Sequence, residues 1–226
     1  MFFDLCAPCA LCARPCENSL CRHCRAQLDT DLTLPAPRCR CGLPAPGVTT
    51  GALCGRCLTH PPPFAAVHAA RRYAFPLDRL INAYKHRGRL DLERALLTLA
   101  EPAPGPWPQA DLLCPVPAHW RRRLTRGFDQ AERLAVALAQ RWQTPVAPLL
   151  WRRHATPRQQ GLGRARRARN LRQAFIAAPA TRGRRVLLID DVVTTTSSAR
   201  AATQALLEAG AREVRVWALA RALDGR

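Results

Sequence analysis

The stretch Val186-Leu187-Leu188-Ile189-Asp190-Asp191-Val192-Val193-Thr194-Thr195-Thr196-Ser197-Ser198 decides how the rest of the chain is read. Its apolar, β-branched first half predicts a buried parallel strand, because a strand covered on both faces shows no polar alternation. Two carboxylates follow, then a hydroxyl-rich turn, then an alanine-rich helix from about Ser197 to Ala209, closed by Gly210. A helix start offers backbone N–H groups and the positive end of its dipole to a phosphate. Adjacent carboxylates can hold sugar hydroxyls or a Mg²⁺ ion. A ribose 5-phosphate asks for both chemistries at this separation. The plainer alternative is a strand end with helix-capping Thr and Ser.

Outward from that junction, strand-like and helical stretches alternate from residue 64 onward. Ala66 to Tyr73 reads as a strand, and Leu77, Leu80, Ile81 and Tyr84 form a helical stripe, broken near Gly88 and resumed from Leu90 to Leu99. Leu112 to Val116 is an apolar run, Phe128 to Trp142 a helix, Val146 to Leu150 a short strand, and Val214 to Leu219 a last strand. Such alternation predicts an α/β domain with a mostly parallel sheet flanked by helices. Ligands in that architecture bind at the carboxyl ends of strands, where Asp190 and Asp191 lie.

The formal net charge is +19, from 35 basic and 16 acidic residues, and every basic residue but Lys85 is arginine. Between Glu132 and Asp190 the sequence has no acid. That concentration points to a polyanionic substrate or nucleic acid. No run approaches a membrane span, and Met1-Phe2-Phe3-Asp4 lacks the basic segment and apolar core of a signal peptide. A cytoplasmic protein without membrane insertion is expected.

Of the 11 cysteines, all but Cys114 lie before residue 58. In a reducing compartment, clustered cysteines are metal ligands more often than disulfides. Cys9-x-x-Cys12 and Cys21-x-x-Cys24 are two knuckles that supply four thiolates to a tetrahedral Zn²⁺, although Cys6 or Cys16 can enter the same register. Cys39-x-Cys41 and Cys54-x-x-Cys57 form a second set, its first pair one residue short of a standard knuckle. Pairing across the two sets stays open. One or two structural zinc ions are expected, and two would lower the formal charge from +19 to about +15. Pro61-Pro62-Pro63 reads as a stiff linker, which divides a zinc-binding module over 1–60 from a domain over 64–226.

Two further segments bear on the site. Pro115-Val116-Pro117 ends a strand and leads into Arg121-Arg122-Arg123-Leu124-Thr125-Arg126-Gly127-Phe128-Asp129-Gln130. Arginines between a strand end and a helix start suit a pyrophosphate, and Gly127 permits a tight backbone path. A long polar connection runs from Thr156 through Arg158, Gln159, Arg164, Arg166, Arg167, Arg169 and Asn170 to Ala174-Phe175. Inside an α/β domain such a connection is a lid or binding loop. Only Trp151 and Phe175 flank it as aromatic surfaces for base stacking. Lys85, beside Arg87, suits a phosphate or a solvated helix end.

The Asp190–Ser198 stretch resembles the phosphoribosyl pyrophosphate (PRPP) loop of type I phosphoribosyltransferases, with Thr196 where that family has glycine. Taken together, the chain resembles the ComF family. The carrying residues are the cysteine sets with Cys41-Gly42-Leu43-Pro44, Tyr73, Lys85-His86-Arg87-Gly88, Pro115-Val116-Pro117, Arg126-Gly127-Phe128-Asp129-Gln130 and the basic connection. Asp129 stands where the family has asparagine. The resemblance implies a type I phosphoribosyltransferase-like fold behind an N-terminal zinc-ribbon module. It also implies single-stranded DNA handling in natural transformation, with PRPP and other DNA-uptake proteins as partners.

On that resemblance Asp190, Asp191, Thr194, Thr195, Thr196, Ser197 and Ser198 bind PRPP with magnesium. Arg121, Arg123, Arg126, Gly127 and Lys85 bind its pyrophosphate, and Arg158 to Asn170 serve as lid or DNA grip. Cys9, Cys12, Cys21, Cys24, Cys39, Cys41, Cys54 and Cys57 hold zinc. The alternative is a catalytically active PRPP-dependent phosphoribosyltransferase of nucleotide or amine metabolism.

Overall fold

The computed structural model describes residues 7–17, 19–47, 49, 51–100, 110–118, 124–152 and 174–223. Its centre is a four-stranded, wholly parallel sheet of β3 (Val67–Arg72), β4 (Leu112–Pro115), β7 (Arg185–Val193) and β8 (Glu213–Arg221), in the order β3-β8-β7-β4. Val186 to Ile189 of β7 are buried on both faces of the sheet. That is why this strand reads as an unbroken apolar run. Each such side chain contributes about 1.5–3 kcal/mol relative to exposure.

The two faces have separate cores. Leu187 and Ile189 pack with Leu77, Ile81 and Tyr84 of α3 (Leu77–Arg87), Leu96 and Leu99 of α4 (Glu93–Leu99), and Leu134 and Leu138 of α5 (Gln130–Trp142). Val186 and Leu188 pack with Ala199, Ala202 and Leu206 of α6 (Ser197–Glu208). The stripe at 77, 80, 81 and 84 is the buried face of α3, and Gly88 closes that helix in the left-handed region at φ +63°. The amino-terminal segment forms the hairpin β1 (Ala7–Pro8) and β2 (Pro15–Cys16), then α1 (Arg22–Asp31) and, further on, α2 (Gly55–Thr59).

Both cores continue into that segment. Cys9, Leu28 and Leu32 join the α3 face, while Cys39, Cys41 and Cys57 join the α6 face. Backbone bonds from Arg72 N–H to Leu32 C=O (2.7 Å) and from Val67 N–H to Arg40 C=O (2.8 Å) fix the contact. The buried Arg71 guanidinium donates to Asp29 on α1.

One strand differs from its expected place. Val146 makes a single parallel bridge to Leu113, and the regular strand is β5, Leu150–Arg152. Pro145 and Pro148 flank Val146 and Ala147 and withhold the N–H groups that a ladder needs. β5 pairs antiparallel with β6 (Phe175–Ala177), an element read in the sequence as the end of the basic connection. In this ribbon Trp151 lies opposite Ile176, and both are exposed (54% and 46%), while Leu150 and Phe175 enter the core.

Candidate functional site

β4 ends at Pro115, paired with Ile189, whereas β7 runs on to Val193 against β8. Asp190 and Asp191 therefore stand beyond the end of β4 at the carboxyl edge of the sheet. A cleft of about 340 Å³ opens there, lined among others by Lys85, Arg126, Gln130, Arg152, Asp190, Asp191, Thr194 and Ser198. Six of the residues expected at one ligand, Lys85, Arg126, Asp190, Asp191, Thr194 and Ser198, are thus brought from α3, the segment before α5, and the β7–α6 junction into one cavity.

The acids are partly satisfied by their own strand. Asp190 Oδ1 accepts from the Asp191 N–H (2.8 Å), and Asp191 Oδ1 accepts from the Val192 N–H (2.6 Å). Lys85 Nζ lies 2.6 Å from Asp191 Oδ2, with both side chains largely buried. Burial and the neighbouring Asp191 carboxylate push the Asp190 carboxyl far above its ordinary value, and Lys85 only partly opposes them. A neutral Asp190 is a hydrogen-bond donor as well as an acceptor.

The turn that follows opens α6. Thr195 Oγ1 and Ser197 Oγ are 2.9 Å apart, and Thr196, at the cap position, makes no side-chain hydrogen bond to the first N–H groups of the helix. The helix start adjoins the cleft, whose lining includes Thr194 and Ser198, and such a start favours an anion. Thr196 takes φ +64°, ψ +3°, the left-handed conformation that glycine adopts without strain. A β-branched residue resists it, yet here Thr196 is 8% exposed and held by Arg200, whose N–H donates to its C=O (2.8 Å) and whose Nε donates to its Oγ1 (3.3 Å). The turn keeps its shape without the glycine.

Asp129 is held by backbone donors at the cleft. Its carboxylate caps α5 by accepting from the Ala131 N–H (3.1 Å), and it also accepts from the Ala118 N–H (2.7 Å). An asparagine oxygen would cap in the same way. Gly127 has φ +77°, which admits the turn before that cap. Arg126 Nη1 donates to Gln130 Oε1 (3.1 Å). Gln130 is the residue that sequence reasoning passed over. It is 3% exposed, lines the cleft, and its Nε2 is a buried donor with no acceptor among the described residues. Such an orphan is destabilising unless a ligand completes it. Arg121, Arg123, Arg158, Gln159, Arg164, Arg166, Arg167, Arg169 and Asn170 lie outside the described residues.

The eight cysteines assemble as two sets of four, Cys9/Cys12/Cys21/Cys24 and Cys39/Cys41/Cys54/Cys57, with the ligand sulfurs of each set within 4.8 Å of one another. A zinc tetrahedron with Zn–S near 2.3 Å needs sulfur–sulfur edges of about 3.8 Å. Cys12–Cys21 at 3.6 Å and Cys41–Cys54 at 4.0 Å match it. Backbone N–H groups point at the sulfurs, from Cys21 to Cys9, from Cys24 to Cys21, and from Cys41 and Cys54 to Cys39. Burial opposes ionisation of Cys9 and Cys39, but these N–H groups outweigh it, and the thiols fall to about 6 and about 7. Burial pushes other thiols of the same sets up, Cys24 in the first and Cys41 and Cys57 in the second. Four converging sulfurs in each set fit Zn²⁺, and with four protein ligands each they leave no open position for substrate.

No family model matches the chain. It is 35% identical over 229 aligned positions to the DNA utilization protein YhgH of Escherichia coli (strain K12), a match covering 95% of this chain and 97% of that protein. Competence protein F of Haemophilus influenzae is 30% identical over 217 positions, covering 91% and 92%. Among solved structures, glutamine PRPP amidotransferase from B. subtilis is similar over 49% of this chain and 22% of that chain, at 25% identity and a TM-score of 0.37. A purine phosphoribosyltransferase from Pyrococcus horikoshii Ot3 is similar over 65% of this chain and 83% of that chain, at 13% identity and a TM-score of 0.29. No helix of the described residues is long and apolar enough to cross a membrane. Both sequence relatives align along nearly their whole length and carry the names of one family: the chain belongs to the YhgH/competence protein F (ComF) family.

Proposed function

We propose that this protein binds PRPP with Mg²⁺ in the cleft at the carboxyl end of β7 and handles single-stranded DNA in the cytoplasm during DNA uptake. The observation that carries the ligand half is one strand-to-helix junction. Two acids, a hydroxyl turn and an uncapped helix start follow one another within Asp190–Ser198 and border one cavity. Asp190 and Asp191 hold ribose hydroxyls, directly or through the metal, and Thr194 to Ser198 take the 5-phosphate. Arg126 and Gly127, with Arg121 and Arg123, serve the pyrophosphate, and Gln130 Nε2 donates to the bound ligand. When bound, Mg²⁺ neutralises pyrophosphate charge.

The DNA half is supported by the relatives named for DNA utilization and competence, and by the acid-free, arginine-rich interval after Glu132. Other DNA-uptake proteins are the natural partners of such a chain. Calorimetry with Mg-PRPP on wild type and on the Asp190→Ala/Asp191→Ala variant tests the ligand half. Heat is expected for wild type and none for the variant; a silent wild type removes PRPP from the reading. The same samples incubated with Mg-PRPP and a panel of acceptors (purine and pyrimidine bases, ammonia) and assayed for pyrophosphate separate a binding protein, which releases none with any of them, from a transferase, whose release depends on the acceptor that takes the ribosyl group.

A further inference from the structure

Arg221, the last residue of β8, is 2% exposed, and its guanidinium holds two parts of the molecule at once. Nε donates to the Cys41 C=O at 3.1 Å, inside the second cysteine set. Nη1 donates to the Val193 C=O at 3.0 Å and to the carbonyls of Thr194 and Ala222. Val193 and Thr194 are the backbone on which the hydroxyl turn hangs. A rigid guanidinium fork thus sets the spacing between a metal ligand's own carbonyl and the start of the phosphate loop.

A second arginine repeats the connection on the other side of the turn. Arg200 on α6 holds Thr196, and its Nη1 and Nη2 donate to the carbonyls of Pro61 (3.0 Å) and His60 (2.7 Å). Those two residues follow α2, which carries Cys57. The guanidinium also lies over Phe64, 5.9 Å from the ring centroid. Both edges of the loop are therefore tied to the Cys39/Cys41/Cys54/Cys57 set. Among the described residues Arg221 has no carboxylate partner, and four thiolates on one Zn²⁺ carry a net negative charge that suits a buried guanidinium.

We propose that Arg221 is a positioning residue that couples the second cysteine site to the phosphate loop, so that metal held by Cys39, Cys41, Cys54 and Cys57 keeps the loop in its binding shape. The assignment of a phosphate to this loop rests on the reading given above; the coupling itself is a property of the protein without ligand. The first cysteine set packs on the opposite face of the sheet, with α3 and α5, and has no such connection among the described residues.

Hydrogen exchange read by mass spectrometry on the full chain tests the coupling without any ligand. Zinc-loaded wild type is compared with protein stripped by a chelator, with Arg221→Met and Arg221→Lys, and with Cys9→Ser/Cys12→Ser, which disables only the first set. Losing charge-assisted bonds to the loop carbonyls should speed exchange about tenfold in stripped wild type at the Ala222 and Arg200 amides, which donate to the loop carbonyls of Val193 and Thr196, with β4 unchanged. Arg221→Met should show the fast loop already when zinc-loaded, and stripping should add nothing. Should Arg221→Met fail to fold, Arg221→Lys, whose single ammonium cannot bridge both sides, should behave likewise. The Cys9→Ser/Cys12→Ser loop should keep wild-type protection. Unchanged loop exchange on stripping, a uniform rise across the sheet, or an Arg221 variant that still responds to zinc would each overturn the proposal. Mg-PRPP calorimetry on the zinc-loaded wild type judges the ligand reading separately, since its silence would leave the exchange result standing.

Discussion

Lys85 Nζ stands 2.6 Å from Asp191 Oδ2, so the chain's single lysine is set against the second of the two acids at the carboxyl end of β7. The sequence suggested a pyrophosphate for that ammonium; the structure places it on a carboxylate of the same cleft. A compact ammonium fits between α3 and β7 where a planar guanidinium would need more room.

Removing Lys85 leaves two adjacent, largely buried carboxylates without their cation. Lys85→Met is expected to lower stability by about 1–2 kcal/mol at neutral pH, read by urea denaturation. Lys85→Arg should recover only part of it. Full recovery by arginine would show that charge alone matters there.

Asp190 carries a carboxyl raised by burial and by Asp191. A raised folded-state value means that the native state binds the proton more tightly than the unfolded chain, so stability is lost as pH rises. The loss starts above the ordinary value of 3.8 and grows until the folded-state carboxyl itself ionises. Asp190→Asn should therefore be more stable than wild type at pH 8 and nearly equal to it at pH 4, in melting curves taken across that range. An advantage that does not grow with pH would contradict the assignment.

Thr196 sits in the left-handed region with a branched Cβ, a conformation that strains it by about 1–2 kcal/mol. Thr196→Gly relieves that strain but adds unfolded-chain entropy and loses the bond from Arg200. A net gain of about 0.5 kcal/mol is expected in chemical denaturation. A clear loss would mean that the Arg200 contact outweighs the strain.

Metal analysis should find two zinc ions per chain. Cys41→Ser should lose one, while Cys16→Ser should lose none, because Cys16 belongs to neither set of four. Loss of zinc in the Cys16 variant would reassign the first site.

Single-stranded DNA affinity should fall steeply with salt. Neutralising Arg164, Arg166, Arg167 and Arg169 should flatten the logarithmic salt slope by about 3, because each phosphate contact on a single strand adds about 0.7. Trp151→Ala should weaken binding about fivefold or more if the exposed ring stacks on a base. Unaltered salt dependence in the arginine variant would place the grip elsewhere.

What was legible in the sequence was local. Strand β7, its two acids and the helix after them are contiguous, so burial periodicity and turn chemistry announce them. The stripe of α3 and the spacing of the cysteine pairs are short-range patterns of the same kind. The apolar segment 146–150 forms only a bridge at Val146, because Pro145 and Pro148 interrupt the ladder that its apolar character suggests. The amino-terminal helix α1 went unread because its cap is the thiol of Cys21, taken only as a metal ligand.

By itself, then, the sequence determined a parallel α/β sheet, a strand-to-helix junction of acids and hydroxyls at Asp190–Ser198 and eight cysteines spaced for metal. Tertiary structure alone decided that Lys85 meets Asp191, that Asp129 is a helix cap, that the buried Gln130 Nε2 beside the cleft has no acceptor among the described residues, and that Arg221 ties Cys41 to Val193 and Thr194. The physical reason is the same in each case. These contacts join segments far apart in the chain, and their geometry exists only once the sheet has brought the segments together, whereas a strand or helix is written in the spacing of its own side chains.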